Sequence, residues 1–197
     1  MNETIDYYDK NAESFAGGTV DIEFSEMQDK FLSMLKEGAS ILDFGCGSGR
    51  DTSYFLQKGY RVTALDGSAE LCRIAEEKTG IPVIQMDFND FDEEDQYDGI
   101  WACSSILHLP KQELKNVLIH MEKALHNDGV IYTSFKYGDF SGMRNGRYFT
   151  DFTEESFKTF VTEIDELVIE KLWLTRDARP GRQDEKWLNT ILRTTRR

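Results

Sequence analysis

Ile41-Leu42-Asp43-Phe44-Gly45-Cys46-Gly47-Ser48-Gly49-Arg50-Asp51 reads as a buried strand that breaks into a glycine-rich turn and restarts as a helix through Thr52, Tyr54 and Leu56. Glycines at every second position let the backbone turn sharply and come close to a ligand with no Cβ between them. The first N–H groups of the following helix point above the turn and favour an anionic group there. The glycine spacing alone is weak evidence, and the next two strands strengthen it. Arg61–Leu65 is a β-rich run ending at Asp66, and Pro82–Met86 is a second one ending at Asp87. Nucleotide-binding βαβ units place a ribose-binding carboxylate at about the separation of Asp66 from Gly49. Three successive strand ends carrying Gly/Asp, Asp and Asp mark one edge of a parallel sheet, where open α/β proteins bind ligands.

Outward from that core the chain reads as alternating strands and helices. Residues 3–16 predict an opening helix with Tyr7, Tyr8 and Phe15 on its surface, and 21–36 a second, ended by Gly38. A fourth strand follows at Tyr97–Ser104, then the segment Ser105–Pro110 and a helix with Leu114, Val117, Leu118, Met121 and Leu125 on one face. Asn127-Asp128-Gly129 predicts a turn into a fifth strand, Val130–Phe135. Residues 136–152 predict an irregular insertion on the substrate side, followed by a short helix. Two last strands near 165–174 and 186–194 have no helix between them and should pair antiparallel.

With 197 residues, 40% of them apolar and 30% charged, the chain suits one soluble domain spanning 1–197, with 1–38 as a helical cover. No apolar run approaches a membrane span, and the acidic N-terminus lacks the pattern of a signal peptide. Cys46, Cys72 and Cys103 show no metal-ligand spacing and predict reduced thiols in the cytoplasm. A net charge of −13 disfavours nonspecific nucleic-acid binding, although residues 171–197 carry eight basic against three acidic side chains.

Taken in order, these motifs resemble those of class I S-adenosylmethionine (SAM)-dependent methyltransferases. The acid two positions before the first glycine is Asp43; the glycines are Gly45, Gly47 and Gly49; the next strand ends carry Asp66 and Asp87; and Tyr97–Leu109 supplies the fourth motif. Tyr8–Phe15 resembles the segment that covers the cofactor in small members. The resemblance implies a single doubly wound, Rossmann-like α/β domain with a mostly parallel seven-stranded sheet whose last strand is antiparallel. It implies SAM as cofactor, S-adenosylhomocysteine (SAH) as product, and no metal. The cofactor-binding residues it implies are Tyr8, Asp43, Gly45, Cys46, Gly47, Gly49, Arg50, Asp66, Gly67, Asp87, Phe88 and Ser104. Asp66 would take both ribose hydroxyls, and Asp87 the adenine amino group with Phe88 packed on the ring. Asp43 would act through water or by holding the turn, and Arg50 would meet the cofactor carboxylate or an internal acid. A nicotinamide dehydrogenase would carry glycine where Arg50 stands.

Methyl transfer from a sulfonium needs alignment and water exclusion more than it needs a strong catalyst. His108, at the ligand edge after the fourth strand, is the candidate base; the alternative is a hydrogen-bonded residue lining the pocket. Tyr7, Arg144, Arg147, Tyr148, Arg179 and Arg182 are the candidate substrate residues, the arginines either for a carboxylate or phosphate on the acceptor or for this chain's own acids. The expected reaction is methylation of a small molecule, anionic in one version, at O or N, without nucleic-acid or membrane partners. The alternatives are a methyltransferase for tRNA or another macromolecule, and a SAM-binding module without turnover.

Overall fold

A computed structural model describes residues 3–19 and 21–196. Helices α1 (Glu3–Thr19) and α2 (Ser25–Leu32) come first, followed by β1 (Ser40–Phe44), α3 (Arg50–Gln57), β2 (Arg61–Asp66), α4 (Ala69–Thr79) and β3 (Val83–Gln85). Then follow β4 (Tyr97–Ala102), α5 (Lys111–Ala124), β5 (Leu125–Lys136), β6 (Ser141–Arg144), β7 (Arg147–Thr150), α6 (Glu154–Val161), β8 (Leu167–Arg176) and β9 (Lys186–Thr194). Seven strands form one sheet in the order β3-β2-β1-β4-β5-β9-β8. All pairs from β3 to β5 are parallel, while β9 runs antiparallel to both β5 and β8.

The central strands are apolar throughout because helices cover both faces of the sheet. Successive side chains alternate between those faces. Leu42 and Phe44 pack with Leu114, Leu118 and Phe157, under α5 and α6. Ile41 packs with Phe31, Phe55 and Trp101, under α2 and α3. There the Trp101 and Tyr132 rings stack with centroids 4.0 Å apart. The order in which strands are added reverses between the parallel neighbours β1 and β4, so their carboxyl ends open into a crevice at the topological switch point.

The chain's own caps fix the helix ends. Ser68 accepts from the Leu71 N–H at the start of α4, and Gly80 closes that helix at φ +74°. Arg196 ties the end of α5 to the end of the chain: its guanidinium donates to Glu122 Oε1 at 2.7 Å and to the backbone carbonyls of Glu122, Lys123 and Leu125. Gly17 and Gly18 lie inside α1, and a Cβ on either would meet nothing within 4 Å.

Three local expectations change. The helix expected over 21–36 is confined to Ser25–Leu32, because Ile22 and Phe24 run ahead of it to line a cavity. The fifth strand begins at Leu125 rather than Val130. Asp128 adopts φ +63°, and the β4–β5 register shifts between Tyr97 and Gly99, so the expected turn is absorbed as an irregularity within the strand. The stretch 136–152 is not irregular but holds the hairpin β6–β7. Its turn residues Asn145 and Gly146 both have positive φ, as a two-residue hairpin turn of this kind requires.

Candidate active site

The glycine turn is built by contacts that exclude side chains. The N–H groups of Gly45 and Cys46 both donate to the Leu65 carbonyl at 2.9 Å, which locks the turn to the end of β2. Gly45 has φ +83°, and a Cβ there would stand 2.3 Å from Ser105 Cβ. Gly47 sends its N–H to Asp66 Oδ2 at 2.9 Å, and Ser68 sends its own to Asp66 Oδ1 at 2.9 Å. Each carboxylate oxygen therefore retains a lone pair for a hydroxyl. Burial raises the Asp66 pKa, and the backbone N–H groups oppose that rise.

Asp43 and Gly49 stand apart from the cavity. Asp43 is 2% exposed and accepts from Thr52 Oγ1 at 2.5 Å, fastening β1 to α3. Burial first, and then the neighbouring Asp51 charge, pushes its pKa up to about 8. A Cβ on Gly49 would lie 2.8 Å from Thr79 Cγ2 and 3.2 Å from Ala75, so this glycine permits α3 to approach α4. Both residues shape the turn from behind.

Arg50 lines the cavity already neutralised. Its Nε and Nη2 meet the two oxygens of Asp51 at 2.8 and 2.9 Å. Asp51 also accepts from Gln28 Nε2 at 2.7 Å and Trp101 Nε1 at 2.8 Å. The internal ion pair is thus the alternative for Arg50 that the structure forms.

One cavity of about 220 Å³ joins the two halves of the site. On the cofactor side Gly45, Cys46, Gly47, Asp66 and Gly67 line it. Asp87, Phe88 and Ser104 complete that side, with Tyr8 and Phe15 of α1 above. Phe88 packs on Phe44 with centroids 4.6 Å apart, and Asp87 Oδ1 accepts from the Asn89 backbone at 3.0 Å. No group of three His, Cys, Asp or Glu able to hold a metal ion occurs among the described residues.

On the far side His108 is buried between two partners. Its Nδ1 is 2.6 Å from the Tyr148 carbonyl, and its Nε2 is 2.9 Å from the Tyr8 hydroxyl. The carbonyl can only accept, so Nδ1 carries the proton and Nε2 accepts from Tyr8. Burial lowers the His108 pKa to about 4, with the Tyr148 carbonyl opposing and the Arg147 charge assisting. The ring is neutral at physiological pH.

The arginines separate into distinct groups. Arg147, Arg179 and Arg182 line the cavity, whereas Arg144, Tyr7 and Tyr148 do not. Arg144 pairs with Asp151 at 2.7 Å. Arg179 is held by Asp177, which also accepts from Trp187 Nε1 at 3.0 Å. Against the effect of burial, the Arg179 hydrogen bonds bring the Asp177 pKa down to about 2. Tyr7 supports the Arg147 guanidinium, 4.6 Å from its ring centroid, and Tyr148 contributes its backbone carbonyl to His108. Of the C-terminal basic segment, Arg193 and Arg196 pair with Glu170 and Glu122. Sequence reasoning missed Asp51, Asp177, Lys136 and Asn189 as cavity-lining residues. Asp51 stands in the first turn of the helix after the glycines, and that position was its one local signal.

A parallel sheet with one reversed strand, a glycine turn at the switch point and acids at the next two strand ends are features of the Rossmann-like fold found in class I SAM-dependent methyltransferases. The comparisons with known proteins point to the same class. Residues 41–129 match the methyltransferase-domain family. An uncharacterized methyltransferase of Staphylococcus carnosus is 28% identical over 88% of this chain and 91% of its own length. The (S)-coclaurine N-methyltransferase of Thalictrum flavum is 24% identical over 81% of this chain, which spans 49% of that enzyme. The 1,6-didemethyltoxoflavin-N1-methyltransferase of Burkholderia thailandensis, solved with 1,6-didemethyltoxoflavin and SAH, superposes with a TM-score of 0.81 at 22% identity. That alignment covers 97% of this chain and 87% of the other.

Proposed function

We propose that this chain is a SAM-dependent methyltransferase that methylates a small-molecule acceptor at an oxygen or nitrogen that loses a proton in the reaction. The observation that carries this reading is the single cavity running from the glycine turn to the Tyr8–His108 pair beneath α1 and the β6–β7 hairpin. The Tyr148 N–H donates to Thr4 Oγ1 at 3.0 Å, joining the hairpin to α1 over the site. Small-molecule N-methyltransferases among the relatives support the same reading. The internal pairing of Arg179, Arg193 and Arg196 favours it over a tRNA or other macromolecular acceptor. Three unpaired thiols support a reducing, cytoplasmic setting.

Asp66 would hold the ribose diol, with Asp87 and Phe88 at the adenine and the Gly45–Gly47 backbone under the methionine end. When bound, SAM supplies a methyl group already activated on a sulfonium. The protein's own contribution is to hold the acceptor, exclude water and take its proton. The proton moves to Tyr8 Oη as the Tyr8 proton moves to His108 Nε2, and Nδ1–H stays on the Tyr148 carbonyl. A pKa near 4 suits acceptors whose atom becomes strongly acidic on methylation, such as a hydroxyl or a weakly basic N–H.

Incubation with methyl-labelled SAM and a cell extract separated into metabolite, RNA and protein should label the metabolites; label confined to RNA or protein would reject the reading. Tyr8→Phe and His108→Asn should each lower kcat by about 100-fold or more while SAM binding stays near wild type. Neutral His108 is the active form, so activity at saturating SAM should persist well below pH 6.5 and fall as His108, whose pKa is lowered to about 4 in the free protein, takes up a proton. An acid limb near pH 6.5 would exclude this base.

A further inference from the structure

Most arginines of this chain are matched by one of its 36 acids. Arg50, Arg144, Arg179, Arg193 and Arg196 each meet a carboxylate at 2.5–2.8 Å. Arg147 meets none among the described residues, although it lines the cavity and is only partly exposed. Its Nη1 donates to the Tyr8 hydroxyl at 3.3 Å, and its Nε is buried with no hydrogen-bond partner. Aromatic rings hold it in place, with the Tyr7 centroid at 4.6 Å and the Phe149 centroid at 5.3 Å. Rings orient a guanidinium, but they do not replace the acceptor that a buried N–H requires. Arg176 and Arg182, at the mouth of the same cavity, are exposed and keep their hydration.

We propose that Arg147 receives an anionic group of the methyl acceptor, a carboxylate or a phosphate, and so restricts this enzyme to negatively charged acceptors. The proposal rests on the small-molecule reading above. The Nε–Nη2 edge hydrogen-bonds nothing among the described residues and presents the fork that two carboxylate or phosphate oxygens match. Since Nη1 touches Tyr8, an anion on the opposite edge sits one guanidinium's width from the proton-accepting pair. It would also offset the Arg147 charge that joins burial in depressing His108. The acceptor's own charge thereby strengthens the base beside it.

The test separates the metabolite filtrate of a cell extract by ion exchange into anionic, neutral and cationic fractions and offers each with methyl-labelled SAM. Wild type should label the anionic fraction, and phosphatase treatment of the labelled product distinguishes a phosphate from a carboxylate. Arg147→Gln should raise the KM for that fraction by about 10- to 100-fold, with labelling recovered at high concentration, and Arg147→Lys should fall between. SAH binding by calorimetry should match wild type in both variants. Label in the neutral or cationic fraction, or an unchanged KM in Arg147→Gln, would overturn the proposal. Label absent from every metabolite fraction would overturn the small-molecule reading beneath it. Should Arg147→Gln fail to fold, the charge of the fraction labelled by wild type decides.

Discussion

Asp51→Ala is expected to lower the stability of the free enzyme by about 3–5 kcal/mol, read as a fall in the urea midpoint at constant slope. Asp51 is 7% exposed and is the common acceptor for Arg50, Gln28 and the Trp101 indole. Removing it strands a half-buried guanidinium and two buried donors in one step. Trp101 carries the damage into the core, since its ring stacks on Tyr132 and packs against Phe31 and Phe55. Adding Arg50→Ala should recover part of the loss, because the uncompensated charge is then gone. A single variant within about 1 kcal/mol of wild type would contradict this account of the site's floor.

Asp66→Ala should weaken SAM binding on the order of 100-fold or more, measured by calorimetry, because hydrogen bonds to a charged acceptor are worth roughly 1.5–3 kcal/mol each. The substitution removes the acceptors for two ribose hydroxyls and also frees the Gly47 and Ser68 N–H groups that shape the turn. Asp66→Asn retains one oxygen and should fall between. Burial raises the Asp66 pKa, so SAM affinity should decline on acidification earlier than an ordinary carboxylate would allow. The sign follows from the role: the carboxylate accepts, and its protonated form offers fewer lone pairs. SAM affinity unaltered by Asp66→Ala would remove this residue from the cofactor site.

What was legible in the sequence was whatever sits within one strand–turn–helix unit. Gly45, Gly47, Asp66 and Asp87 announce themselves because strand ends and positive-φ turns admit few residue types. Asp51 did not, because its partners Gln28 and Trp101 lie 23 and 50 positions away. The arginine-rich rim was visible as charge, yet direction was not. Arg179 turns inward to Asp177, two residues back, and Arg144 to Asp151 across the hairpin, which left Arg147 to the cavity. The hairpin itself carried a local signal in Asn145-Gly146, masked because its four-residue arms lack a clear apolar alternation. His108 follows β4 and lines the cavity, but its link to Tyr8 spans 100 positions and could not be read from spacing.

The two glycines inside α1 acquire a meaning from their surroundings. No neighbour demands a missing side chain at Gly17 or Gly18, so packing does not explain them. Each weakens the helix by roughly 1 kcal/mol relative to alanine. The element that roofs the cavity is therefore attached through its least durable turns, while Asp9 grips the start of α4 and Tyr8 grips His108 further along. Local unfolding is cheapest where helical hydrogen bonds are least supported. Ligand traffic through this roof is expected to begin at that end, which makes residence time, rather than methyl transfer, the step most sensitive to Gly17→Ala and Gly18→Ala.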